Sequence, residues 1–291
     1  MLPKPSPNRA AAPREGRQPK AIARMCTPEV LTPEGFAGLT PEGTSTDALA
    51  PDMKELLEHP PEAPASCPQN GGTLYLRNQG IDDGCCDLLA QRIFLLDFDR
   101  VQMLMLACNS IGPRGMAMLG GAMGGGYDPV RPGGLPYLES LSLETNPLGD
   151  AGIQTLANSL SALPRLRSLE IQRTGCGDEG MRAIARAAMD AGALGELDTL
   201  YCHENAVGCD GVTALCEALK EGKLQSLGCL HLPTNKVDDE GCLALTEAIE
   251  AGHLDHMRAI YLGAGNPVTR DGMEVLYDIV REHEKRLKIY F

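Results

Sequence analysis

Leu138–Leu160 reads LESLSLETNPLGDAGIQTLANSL, and the fold can be worked out from this stretch. Leu141 and Leu143 alternate with Ser140, Ser142 and Glu144, the period of a short strand with one apolar face. Asn146 follows at a turn, where its amide can satisfy backbone groups. Gly152, Ile153, Leu156 and Leu160 then continue at helical spacing. The glycine permits a close approach of helix and strand. Such a unit buries only half of each element, so a neighbour has to complete its core.

The neighbours are present as further copies. Leu104, Leu106 and Asn109 repeat the anchors, as do Leu169, Ile171 and Thr174; Leu200, Cys202 and Asn205; and Leu230, Leu232 and Asn235. The first copy has Leu74, Leu76 and Gln79; the seventh has Ile260, Leu262 and Asn266, with Gly265 as an extra residue. The second strand anchors stand 30, 37, 28, 31, 30 and 30 residues apart. The long interval holds GGAMGGGYDPVRPGGLPY, residues 120–137, which reads as an inserted loop. Beyond copy seven, RLKIYF places Leu287 and Ile289 as anchors of a truncated eighth strand, 27 residues past Leu262. Tyr290 and Phe291 would then cover the final core layer.

Runs such as NSIGPRGMAML, NPLGDAGIQTL and NAVGCDGVTAL resemble the leucine-rich repeat family in its ribonuclease-inhibitor-like subclass, over roughly residues 70–291. Similar repeats occur in Ran GTPase-activating proteins and NOD-like receptors. The resemblance implies an α/β solenoid, a curved horseshoe with a parallel sheet on the concave face and helices on the convex face. It implies a non-catalytic scaffold, adaptor or subunit of a larger assembly that grips a protein partner. A GTPase activator of the Ran type and an inhibitor of the ribonuclease-inhibitor type are the alternatives.

Composition narrows the function classes. The chain carries a net charge of −13, and most of it falls on the repeats, so phosphate backbones are repelled and nucleic acid is excluded as a partner. A protein with a basic surface is the better electrostatic match. No apolar run approaches the length of a membrane span. The eleven cysteines are odd in number and follow the repeat: Cys176 and Cys202 sit at aliphatic core sites, Cys216 and Cys242 in helical stretches. Free thiols in a reducing, cytoplasmic setting are expected, with an organelle or cilium as the alternative. Cys85 and Cys86 should face opposite ways, and no ligand spacing for a metal or cofactor occurs. The glycine-rich run at 120–126 lacks the Lys-Ser/Thr of a phosphate loop, and no nucleophile motif is present. Residues 1–65 are proline-rich and read as disordered, with a short capping helix at 52–59 ahead of the repeat domain at 66–291.

The strand alternation assigns the concave face. Its central column is Tyr75, Met105, Ser142, Glu170, Tyr201, His231, Tyr261 and then Lys288, with Arg77, Ala107, Glu144, Gln172, His203, Pro233 and Gly263 in the next column. All should face solvent. Three of the chain's seven tyrosines fall in the central column, and tyrosine and arginine dominate interface hot spots. The candidate partner-binding set is therefore Tyr75, Arg77, Met105, Glu144, Glu170, Tyr201, His203, His231 and Tyr261. Tyr127 and Arg131 in the inserted loop form a second candidate contact.

Overall fold

The computed structural model describes residues 72–94, 100–124, 134–282 and 286–291. The disorder expected over residues 1–65, the capping helix at 52–59, and the loop residues Tyr127 and Arg131 lie outside the described residues.

Strands and helices alternate: β1 (Gly72–Tyr75), α1 (Asp83–Phe94), β2 (Val101–Met105), α2 (Pro113–Met123), β3 (Ser140–Ser142), α3 (Gly149–Ser159), β4 (Ser168–Glu170), α4 (Asp178–Ala191), β5 (Thr199–Tyr201), α5 (Cys209–Lys220), β6 (Cys229–His231), α6 (Asp239–Glu250), β7 (Ala259–Tyr261), α7 (Arg270–Glu282) and β8 (Lys288–Tyr290). The strands form one eight-stranded sheet in sequence order, and every neighbouring pair is parallel. This is the leucine-rich-repeat solenoid anticipated from the sequence.

The first anchors stack in register from Leu74 through Leu104, Leu141, Leu169, Leu200, Leu230 and Ile260 to Ile289. The second anchors, Leu76, Leu106, Leu143, Ile171, Cys202, Leu232 and Leu262, are all fully buried behind them. Each such leucine contributes roughly 1.5–3 kcal/mol, so the two stacks form the spine of the core. Helix α2 continues through Met123, into the stretch read as insertion. Leu135 and Leu138 beyond it are again buried in the core.

Polar side chains weld one repeat to the next. Asn146 is 1% exposed. Its Oδ1 accepts from the Ile111 N–H of the preceding repeat at 3.0 Å, and its Nδ2 donates to Leu106 O at 2.9 Å and Leu143 O at 3.0 Å. Asn109, Asn205, Asn235 and Asn266 repeat this bridge. Repeat four has Thr174 instead, whose hydroxyl donates to its own Ile171 O at 2.7 Å, with a longer contact to Asn205 Oδ1 at 3.5 Å, and does not reach back to repeat three. The rung between repeats three and four is replaced by a backbone bond from Gly149 N–H to Thr174 O at 2.8 Å.

A second ladder caps helices across repeats. Asp83 Oδ1 accepts from the Gly112 N–H, Asp150 Oδ1 from Gly177 and Gly180, and Asp178 Oδ1 from Gly208 and Gly211, at 2.6–3.0 Å. Each carboxylate sits in the first turn of one helix and satisfies the orphan N–H groups of the next. Asp239 does the same for Thr269, whose hydroxyl and N–H hold that carboxyl below the ordinary range. Helix α6 differs: Asp238 caps it from within.

Several expectations are corrected. The repeat glycine also serves the approach of helix to preceding helix: a Cβ on Gly180 would lie 2.9 Å from Asp150 Oδ1 in α3, as well as 2.9 Å from Cys176 Sγ in its own repeat. Cys85 and Cys86 do not face opposite ways; both are buried, because adjacent positions of α1 both fall within its broad apolar stripe. Ile289 pairs with Ile260, two positions from the expected register, so Tyr290 rather than Lys288 continues the central column. Tyr290 is therefore on the sheet surface, not over the core.

Candidate functional site

The face of the sheet turned away from the helices carries the central column Tyr75, Met105, Ser142, Glu170, Tyr201, His231, Tyr261 and Tyr290, each in register with the next. Strand spacing of about 4.8 Å forces neighbouring side chains in a column together. Where they are flat rings, they stack. Tyr201 and His231 have centroids 4.4 Å apart, His231 and Tyr261 4.2 Å, and Tyr261 and Tyr290 4.6 Å, with interplanar angles of 29°, 10° and 7°. Each such pair is worth about 0.5–1.5 kcal/mol beyond its area burial. The four rings form a continuous ridge over the C-terminal half of the face.

Tyr290 is 42% exposed, and Tyr201, His231 and Tyr261 are half-buried. Burial, and then the nearby His203, hold the His231 pKa below its ordinary value, which favours the neutral ring between its two tyrosines. Burial, and then the Glu170 carboxylate, push the Tyr201 phenol up. Both effects favour the uncharged forms of His231 and Tyr201.

From the N-terminal end up to Glu204, in the ridge's first repeat, the face carries paired charges. Arg77 reaches Glu144 at 3.2 Å, and Arg173 reaches Glu144 at 3.9 Å and Glu204 at 2.6 Å. The hydrogen bond from Arg173 holds the Glu204 carboxyl below the ordinary range. Arg77 and Glu144, both expected to contact a partner, are thus engaged with protein charges already. Glu170 makes no ion pair among the described residues. Tyr75 stands exposed at the far end of the column, and Met105 is half-buried beside Ser142.

Three residues expected to face solvent do not. Ser142, Ala107 and Gln172 are 2%, 1% and 7% exposed. Ser142 and Ala107 are short and lie between longer neighbours on adjacent strands, which cover them. The Gln172 Oε1 atom is buried with no hydrogen-bond partner, as is the Thr145 hydroxyl. Thr145 also takes a left-handed backbone, φ 56°, which disfavours a β-branched residue.

The other rim of the sheet holds residues that the alternation did not single out. Arg258 passes over Gly228 to clasp Asp198 in a bidentate pair at 2.7 and 2.8 Å, two repeats away, and Arg167 pairs with Glu196 at 3.2 Å. Their signal was present in the sequence: Glu139, Arg167, Asp198, Gly228 and Arg258 recur at the repeat spacing, with the glycine leaving room for the arginine. Among the described residues no group of three or more His, Cys, Asp or Glu side chains could hold a metal ion. No helix there is long and apolar enough to cross a membrane.

Residues 134–157 match the family model of the leucine-rich repeat, the same repeat from which the fold was read. None of the curated proteins compared with the chain matches it. Among solved structures, an internalin from Listeria monocytogenes is similar at 17% sequence identity and a TM-score of 0.39. That match covers 70% of this chain and 49% of the internalin, so the chain spans about half the length of that neighbour.

Proposed function

We propose that this leucine-rich-repeat chain is a non-catalytic protein-interaction scaffold, adaptor or assembly subunit that binds its partner on the C-terminal half of the concave face. The aromatic ridge Tyr201–His231–Tyr261–Tyr290 carries this reading. It is a rigid, uncharged, partly exposed surface with few rotatable bonds to immobilise, which keeps the entropy of binding low. Partner choice in such interfaces rests on a few aromatic anchors, and here four lie side by side. The internal pairing of Arg77, Glu144, Arg173 and Glu204 supports the same location, because those charges must be separated before they serve a partner. Repeat lengths near thirty residues, each with a full helix, favour the ribonuclease-inhibitor-like subclass.

Affinity capture from native extract, comparing the wild type with Tyr201→Ala/Tyr261→Ala, tests the reading. A partner held by the wild type and lost by the double variant is expected. The same partners on both proteins would move the site elsewhere, to the inserted loop around Tyr127 and Arg131 or the N-terminal arm. Ran-type GTPase activation and ribonuclease inhibition are separated by direct assay of nucleotide hydrolysis and of ribonuclease activity.

A further inference from the structure

The ridge stops abruptly at Tyr201. One face of this ring is covered by His231. On its other side the column drops to Glu170 and then to the short, covered Ser142. A tall aromatic wall thus stands over a low floor. Beside the wall is Glu170, which has no ion pair among the described residues, although Glu144 and Glu204 nearby are both matched by arginines. Two residues along the same chain segment, Gln172 holds an unpartnered Oε1. Its terminal torsion is broad and nearly two-fold, so a half-turn exchanges the places of its oxygen and nitrogen.

We propose that this step is a socket for an arginine side chain carried on an extended segment of a partner protein. The guanidinium lies flat on the free face of Tyr201 and donates to Glu170 and to the rotated Gln172 amide. The inference rests on the reading that the concave face binds protein. Three features select this ligand chemistry. A π face attracts cations, arginine most often. Two acceptors without donors call for a group with several N–H donors and no acceptor, which describes guanidinium. The chain's net charge of −13 also draws cationic partners towards it. Anionic ligands are repelled by Glu170.

The test uses the full chain and a fluorescein-labelled eight-residue peptide alternating arginine with serine, beside matched peptides in which citrulline or lysine replaces arginine. Citrulline keeps the shape and planarity and removes the charge, and it leaves the protein untouched. Anisotropy titration at low salt should show binding of the arginine peptide, with lysine weaker and citrulline weaker still. Glu170→Gln and Tyr201→Leu should each weaken the arginine peptide by about threefold to thirtyfold. Glu250→Gln, an exposed carboxylate on α6, should leave it unchanged.

Equal affinity for arginine and citrulline, no effect of Glu170→Gln, or no binding of the arginine peptide would each overturn the socket. Peptide binding that is lost in Tyr261→Ala yet indifferent to citrulline and to Glu170→Gln overturns the socket and leaves the concave-face reading standing. An equal loss in Glu250→Gln and Glu170→Gln identifies diffuse charge attraction and overturns it as well.

Discussion

Replacing Asn146 with alanine removes one rung of the ladder that joins repeats two and three. The side chain is fully buried; it bonds Ile111 N–H, Leu106 O and Leu143 O, with a longer fourth contact to Glu144 O at 3.4 Å. Leu106 O keeps a second donor, Asn109 Nδ2, at 2.8 Å. The Ile111 N–H and Leu143 O lose their amide partner. A buried polar group left unpaired costs about 1–3 kcal/mol, so two of them predict a loss of roughly 2–5 kcal/mol, with the small cavity adding to it. Asn158→Ala on the exposed face of α3 is the control and should stay within about 0.5 kcal/mol. Urea unfolding followed by circular dichroism gives the difference, with a second probe to check that the repeats unfold together. A loss below about 1 kcal/mol for Asn146→Ala would refute the reasoning, because water or a local backbone shift would then be satisfying those groups.

Three further outcomes follow from the same geometry. Gly115→Ala should destabilise by about 1–3 kcal/mol in thermal unfolding, because its Cβ would lie 2.5 Å from Asp83 Oδ1 and 3.1 Å from the Asp83 backbone, at the tightest point between α1 and α2. Thr145→Gly should stabilise by roughly 1 kcal/mol: it relieves a left-handed β-branched residue and an orphaned hydroxyl, less the added entropy of glycine in the unfolded chain. His231 takes up its proton below the ordinary histidine pKa of about 6.5 when folded. The unfolded chain then binds more protons as pH falls through that value, so stability declines until the pH passes the folded pKa. The fall in melting temperature between pH 7.5 and 5.5 should shrink in His231→Phe, and an unchanged fall would place the effect on other groups.

The solenoid was legible because its rule is local and repeated. Leu141, Leu143, Asn146 and Gly152 define it once, and the later copies restate it, with Thr174 in place of the asparagine in repeat four. What the sequence concealed lies between repeats. Asp150 and Asp178 read as ordinary acidic residues in a first helical turn, yet each caps the following helix, whose N–H groups lie 27–33 residues away. Tyr290 escapes the alternation because Leu287 and Ile289 read as the anchor pair, whereas Ile289 alone pairs with Ile260. The spacing contained the warning: 27 residues from Leu262 is shorter than any other interval, whereas pairing Ile260 with Ile289 restores a normal one. The aromatic ridge was visible as Tyr201, His231 and Tyr261, three positions at the repeat spacing. The pairing of Arg77 with Glu144, and of Arg173 with both Glu144 and Glu204, was not, because it depends on how far each long side chain reaches across strands.

The most direct measurement is site-specific photo-crosslinking in native extract. The photoreactive residue p-benzoylphenylalanine replaces Tyr261 on the ridge in one protein and Leu243, exposed on the convex helix α6, in another. Discrete crosslinked protein bands from position 261, absent from position 243, are the predicted result. Bands from position 243 with none from position 261 would contradict the claim that the concave aromatic face is where this protein meets its partner.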